Sequence, residues 1–175
     1  MRLFIGIKTK CDDHLITLQD KLRRMGDGRF TYPDNLHITL KFLGEVPRGD
    51  TQLIKAAMAK IDARPFALEC LGVCAFGKSG IVAAGVGGDM ASLNALHVSL
   101  EDALARRGFD RERRPYRPHI TLARKYRPNP GADIAAIPFR PCAFEVREIV
   151  LFESKRVDGR LRYEPVWAKG LKGGC

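Results

Sequence analysis

The chain has 175 residues, 45% of them apolar, which is enough for one well-buried core or for two lobes sharing a cleft. Thirty basic against 20 acidic residues leave a net charge of +10, a balance that favours polyanionic partners over acidic surfaces. No apolar run approaches the roughly 18 residues of a membrane span, and the opening Met1-Arg2-Leu3-Phe4-Ile5-Gly6-Ile7 turns charged at Lys8, so no membrane association and no secretory leader are expected.

In chain order, Leu3 to Lys8 reads as a first strand and Asp12 to Met25 as a helix, capped by Asp12 or Asp13 and stopped by Gly26-Asp27-Gly28. Tyr32-Pro33-Asp34-Asn35 is a turn into a strand over Leu36 to Leu43, which Gly44 and Pro47 end. A helix follows over about Asp50 to Ala63, with Leu53, Ala57 and Ile61 on one stripe, and Pro65 closes it. Phe66 to Phe76 and Ile81 to Val86 read as a hairpin about the turn Gly77 to Gly80. Gly85-Val86-Gly87-Gly88 lacks the spacing and the lysine of a phosphate-cradling loop and reads as a turn. Met90 to Arg107 is a helix with Leu93, Leu96, Leu100 and Leu104 inward. A basic loop, a strand over His119 to Ala123 and a Pro-rich connection from Arg127 to Pro141 come next. The chain closes with strands over Phe144 to Glu153 and Leu161 to Ala168, and a loose basic tail from Lys169.

The five cysteines (Cys11, Cys70, Cys74, Cys142, Cys175) include no CxxC pair, and Cys70 and Cys74 on one strand would stand roughly 13 Å apart, too far to bridge. Reduced thiols in a cytoplasmic protein are the expectation. His14 and His97, on helices, read as surface or packing residues, and Trp167 as core.

One tetrapeptide occurs twice. His37-Ile38-Thr39-Leu40 and His119-Ile120-Thr121-Leu122 hold two of the four histidines, each in a β-branched, apolar run. On a strand, His and Thr at i and i+2 share one face while Ile and Leu share the other. Two such strands side by side would bring two imidazoles and two hydroxyls to one volume. The interval is 119 − 37 = 82 residues; Leu3 and Ile81, and Phe66 and Phe144, recur at 78. Such a repeat implies a pseudo-two-fold α+β design over residues 1–175: a single bilobal domain of two antiparallel sheets, with helices packed on their outer faces around a central cleft.

Between Arg106 and Arg127, nine basic residues face only Asp110 and Glu112, which points to phosphate or nucleic-acid contact beside the second motif. Tyr116, Arg117 and Tyr32 are open between cleft and surface. Imidazole titrates near neutrality, so one histidine can take a proton while its twin gives one. Set across a phosphodiester, the pair suits in-line displacement, with the threonine hydroxyls on the non-bridging oxygens. No acidic cluster neighbours either histidine, so neither a metal nor another cofactor is expected.

At these residues the chain resembles the two-histidine phosphoesterase superfamily, marked by two HxTx motifs about 80 residues apart, and more narrowly the RNA 2′,3′-cyclic phosphodiesterases once called 2′-5′ RNA ligases. The likeness rests on Arg2-Leu3-Phe4-Ile5-Gly6-Ile7, on Asn35-Leu36-His37-Ile38-Thr39-Leu40-Lys41-Phe42-Leu43-Gly44-Glu45-Val46 and on Pro118-His119-Ile120-Thr121-Leu122-Ala123-Arg124. It implies metal-free hydrolysis of a terminal RNA 2′,3′-cyclic phosphate to a 2′-phosphate, with joining or cleavage of 2′-5′ linkages in vitro. It suggests His37 as base towards water and His119 as acid towards O3′, Thr39 and Thr121 on the phosphate, and Phe42 beside the nucleobase. Arg124, just past Thr121 on the same strand, is expected to share its face and reach the phosphate. Phe42 departs from the alternation of His37, Thr39 and Lys41, so its placement follows from the resemblance alone. The partner implied is RNA with a cyclic phosphate end, met by a monomer. Two other readings stay open: a relative acting on a small nucleotide such as ADP-ribose 1″,2″-cyclic phosphate or a 2′-5′ oligoadenylate, and a non-catalytic RNA-binding module.

Overall fold

A computed structural model describes residues 1–172, without the side chains of residues 75–77. Strand β1 (Arg2–Lys8) carries an unbroken buried centre, Leu3 to Ile7, and leads into helix α1 (Asp12–Met25). The helix buries Leu15, Leu18 and Leu22, with Asp12 and Asp13 in its first turn and Arg23 and Arg24 in its last, as the helix dipole favours. Neither aspartate caps it; Cys11 holds the N-cap position without a capping hydrogen bond from its side chain.

The glycines that end α1 also begin a strand the sequence reading missed, β2 (Gly26–Phe30). A Cβ at Gly26 would stand 2.8 Å from Pro128 Cα, so this close pairing requires glycine. After a 3₁₀ turn at Pro33–Asn35 come β3 (His37–Glu45) and α2 (Thr51–Ala59). Helix α2 is shorter than expected and rotated: it buries Ile54, Ala57 and Met58 while Leu53 stays 38% exposed. Ile61 is still buried, but past the helix end.

The hairpin β4 (Phe66–Phe76) and β5 (Ile81–Gly88) follows, so the glycine-rich run at 85–88 is strand rather than turn. Helix α3 (Met90–Ala105) is capped by Asp89, which accepts from Ser92 N–H at 3.0 Å, and buries Leu93, Leu96, Leu100 and Leu104 as its stripe predicts. Strand β6 (His119–Pro128) runs well past the expected end at Ala123. The single strand expected over 144–153 is two, β7 (Cys142–Val146) and β8 (Glu148–Val157), separated at Arg147. Strand β9 (Arg160–Gly170) takes the start of the expected tail, and Leu171 beyond it is buried. The rest of that tail lies outside the described residues.

All pairings are antiparallel, in the order β7-β4-β5-β6-β3-β1-β8-β9, with β2 on the free side of β6. The middle of this order is nearly severed: β3 and β6 share one pair, Ile38 with Ile120. Two sheets therefore meet at a seam, one built on β1, β3, β8 and β9, the other on β2, β4, β5, β6 and β7. The helices cross over. Helix α1 follows β1 yet packs on β6, where Gln19 donates to Thr31 O and Leu122 O; α3 follows β5 yet reaches β3. This is the duplicated α+β architecture the repeat implied, although β7 breaks the matching of Phe66 with Phe144. Phe144 pairs with Leu68 on β4, while the strand placed like β4 in the other sheet is β8.

The expectation of reduced thiols is overturned at one pair. Cys11 and Cys142 form a disulfide across 131 residues, with Cα atoms 6.1 Å apart, within the usual range. Local spacing could not reveal it, because the sheet brings β7 to the start of α1. Cys70 and Cys74 are free. Trp167 is half-buried against the core rather than within it. Among the described residues no helix is long and apolar enough to cross a membrane.

Candidate active site

The seam between the sheets is where the two tetrapeptides meet. Continued from Ile38 opposite Ile120, an antiparallel register sets each histidine opposite the other motif's threonine and His37 and His119 on a diagonal. In a regular ladder such a diagonal spans roughly 7–8 Å, a separation that fits around one phosphate. Ile38, Leu40, Ile120 and Leu122 are buried, and His37, Thr39, His119 and Thr121 line one cleft of ≈ 570 Å³.

Each imidazole is held in the same tautomer by the same device. His37 Nδ1–H donates to Asn35 O at 2.7 Å and His119 Nδ1–H to Arg117 O at 2.7 Å. A carbonyl can only accept, so Nδ1 carries a proton in both rings and Nε2 is the nitrogen on the other side of the ring from that bond. In His37 that Nε2 accepts from the Thr39 hydroxyl at 2.9 Å.

His37 is enclosed by rings that lie outside both tetrapeptides. Phe4 lies 4.7 Å away between centroids, Tyr163 meets it edge-on at 5.1 Å, and Phe152 stands at 6.3 Å. These three rings and Val150 form a small apolar cluster of their own. Burial among them disfavours imidazolium and lowers the His37 pKa to about 4; the Asn35 carbonyl opposes the shift, and the charges of His119 and Arg124 add to it. Near neutral pH His37 is therefore uncharged, with a basic lone pair. Asn35 also fixes the wall: its buried amide donates to Leu161 O at 2.8 Å and accepts from Tyr163 N–H at 3.1 Å.

Phe42 and Arg124 reach the cleft by a route strict alternation does not describe. Alternation from Thr39 and Thr121 would present Lys41 and Ala123 instead. Both motif strands carry a bulge at the same place. Thr39 pairs with Gly6 and Lys41 with Ile5, leaving Leu40 extra; Thr121 pairs with Ala83 and Ala123 with Val82, leaving Leu122 extra. One extra residue reverses the faces beyond it. Phe42, 62% exposed, and Arg124 thus share the histidines' cleft at equivalent positions, 82 residues apart. Arg124 lines the cleft by way of the bulge and not by alternation from Thr121.

Lys41 turns inward towards α3. Its Nζ lies 2.9 Å from Glu101 Oε1, donates to Glu101 Oε2 at 3.0 Å and to Asp110 O at 2.7 Å, and both ionic side chains are buried. Glu101 also accepts from Glu112 N–H, pinning the basic loop to the helix. Tyr116 on that loop donates to Thr39 O at 3.1 Å and stacks on His97 at 4.0 Å. His97, read from sequence as a surface or packing residue, therefore lines the cleft, as do Tyr116 and Arg117. Of the basic run, Arg114, Arg117 and Arg124 line the cleft, while Arg111 is tied to Asp102 at 2.6 Å. Among the described residues no three His, Cys, Asp or Glu side chains gather as metal ligands.

Fold and cleft together are those of the two-histidine phosphoesterases. The family model of the 2′-5′ RNA ligase superfamily matches residues 11–158, and the chain belongs to that superfamily. It is 35% identical over 152 residues to an RNA 2′,3′-cyclic phosphodiesterase of Geobacillus stearothermophilus, an alignment covering 82% of this chain and 48% of that protein. The chain thus spans about half the length of that relative. To the RNA 2′,3′-cyclic phosphodiesterase of Escherichia coli it is 33% identical over 147 residues, covering 81% of this chain and 80% of the relative. The crystal structure of E. coli LigT complexed with 3′-AMP superposes with a TM-score of 0.78 at 27% identity, over 98% of each chain.

Proposed function

We infer that the cleft hydrolyses the 2′,3′-cyclic phosphate at the end of an RNA strand, leaving a 2′-phosphate, without a metal ion. The observation that carries this reading is the paired imidazoles at the seam, one of them uncharged at neutral pH with its Nε2 turned to the cleft. Relatives named RNA 2′,3′-cyclic phosphodiesterase support the substrate class.

In this mechanism His37 Nε2 takes a proton from water as the water oxygen bonds to phosphorus. The Thr39 hydroxyl, which occupies that lone pair in the free protein, turns to a non-bridging oxygen as water enters. The P–O3′ bond breaks in line, and His119 supplies a proton from Nε2 to O3′, its Nδ1–H remaining on Arg117 O. Thr121 and Arg124 stabilise the charge on the pentacoordinate phosphorus. Each proton transfer contributes about 10²–10⁴-fold. His37 ends protonated and His119 neutral, and exchange with solvent restores both. Phe42 offers its exposed face to the terminal base. With the 5′ hydroxyl of a second strand in place of water, the same displacement breaks P–O3′ and leaves a 2′-5′ linkage, the counterpart of the joining activity in the superfamily's name.

A monomer is part of this reading, supported by a cleft that one chain lines throughout. The test is an oligoribonucleotide with a 2′,3′-cyclic phosphate end, incubated in EDTA and followed by phosphorus NMR. A 2′-phosphate product is expected. Turnover confined to small nucleotides, or binding without turnover, would replace this reading with one of its two alternatives.

A further inference from the structure

A second groove opens beside the cleft, of ≈ 340 Å³, within the roughly 300–1,000 Å³ of ligand pockets. Tyr32 and Asp34 line it from the turn before β3, and Arg160, Leu161 and Arg162 from the start of β9; Tyr163 is a wall common to groove and cleft. Its surface is unusual for this molecule. Five large apolar side chains stand exposed among the described residues; two of them, Tyr32 at 45% and Leu161 at 36%, are in this groove, and a third, Phe42, is in the cleft.

Two arginines and two acids line the groove, and one of the acids, Glu164, is paired with Lys155 at 2.6 Å. Arg160 and Arg162, two apart on one strand, share a face, and neither is ion-paired among the described residues, whereas nearby Lys155 is held by Glu153 and Glu164. The Arg160 guanidinium sits 5.6 Å from the centre of the Tyr32 ring. Exposed rings beside unpaired guanidinium groups are the arrangement that binds single-stranded nucleic acid: the ring takes a base of any kind and the cations follow the backbone. Asp34 adds an acceptor for an exocyclic amine or a ribose hydroxyl.

Resting on the function proposed above, we propose that this groove is the subsite for the nucleotide preceding the cyclic-phosphate end. Its base lies against Tyr32 and Leu161, and the phosphodiester joining it to the terminal nucleotide lies against Arg160 and Arg162. The site then reads a strand end rather than a mononucleotide, and Tyr163 separates the two bases.

The test compares adenosine 2′,3′-cyclic monophosphate with a dinucleotide carrying the same end. Stacking and phosphate contact should raise kcat/KM for the dinucleotide by about 5- to 100-fold in the wild-type protein. Tyr32→Ala, and Arg160→Gln with Arg162→Gln, should bring the dinucleotide down towards the mononucleotide value without altering the latter; Tyr32→Phe should keep the preference. Equal wild-type values for the two substrates, or variants that lose both activities alike, overturn the subsite and leave the hydrolysis standing. No turnover of either substrate by the wild type overturns both.

Discussion

The first and second motifs are the same four letters on the same bulged strand, yet the positions around them differ. Both histidines give Nδ1–H to the carbonyl two residues back. The residue supplying that carbonyl is Asn35 on one side, buried and bonded twice to β9, and Arg117 on the other, exposed at the cleft. After the bulge, the position facing the cleft is Phe42 in the first copy and Arg124 in the second, while the position facing the core is Lys41 in the first and Ala123 in the second. Duplication supplied two equivalent backbones. The residues around them differ: an apolar box encloses the histidine of the first, and Arg124 brings a cation to the cleft from the second.

The largest effect should come from the motif itself. His37→Ala and His119→Ala should each lower kcat by about 10²–10⁴-fold or more, with the circular dichroism spectrum retained. The double variant should be little worse than either single, because the two act in one step. An additive loss would mean that the imidazoles work independently.

Next comes the asymmetry at the bulge. Lys41→Met strands Glu101 without its partner and should cost about 3–5 kcal/mol in urea unfolding, whereas Lys41→Met with Glu101→Leu should recover most of it. Ala123→Gly at the equivalent position should cost far less. Thr39→Val and Thr121→Val, which remove a hydroxyl from a charged phosphate, should each reduce kcat/KM by roughly 10- to 100-fold; a much larger loss for Thr39 would show that its bond to His37 matters beyond phosphate contact.

The mildest effect is on pH dependence. The proposed mechanism uses the uncharged form of His37, so activity should fall on the acid side near pH 4. Tyr163→Ala lets water to the ring, and the acid limb should move up towards the ordinary imidazole value near 6.5. The same shift acts on stability. Folding excludes a proton that the unfolded chain binds, so the contribution is complete above about pH 6.5 and is lost as pH falls towards about 4. A limb unmoved by Tyr163→Ala would show that the rings do not set the basicity.

Much of this was legible in the sequence, because strong periodicity and a repeated motif are local signals. The span of α1 follows from its apolar stripe and the glycines after it, and the leucine stripe of α3 is the one its sequence shows. What stayed hidden depends on non-local pairing. Nothing in Leu40 or Leu122 announces a bulge; it exists because β1 and β5 pair past those residues. Phe4, Phe152 and Tyr163 sit on three different strands, and only the strand order gathers them on His37. Cys11 and Cys142 lie 131 residues apart, beyond any spacing rule. Strand β2 is hidden by its glycines, which read as a helix stop and also serve as a pairing surface.

The division of labour between the two histidines is tested most directly with an RNA substrate whose 3′ bridging oxygen is replaced by sulfur, a leaving group that departs without a proton. This substrate should restore much of the activity of His119→Ala and none of that of His37→Ala. Rescue of His37→Ala instead, or of neither variant, would contradict the assignment of base and acid.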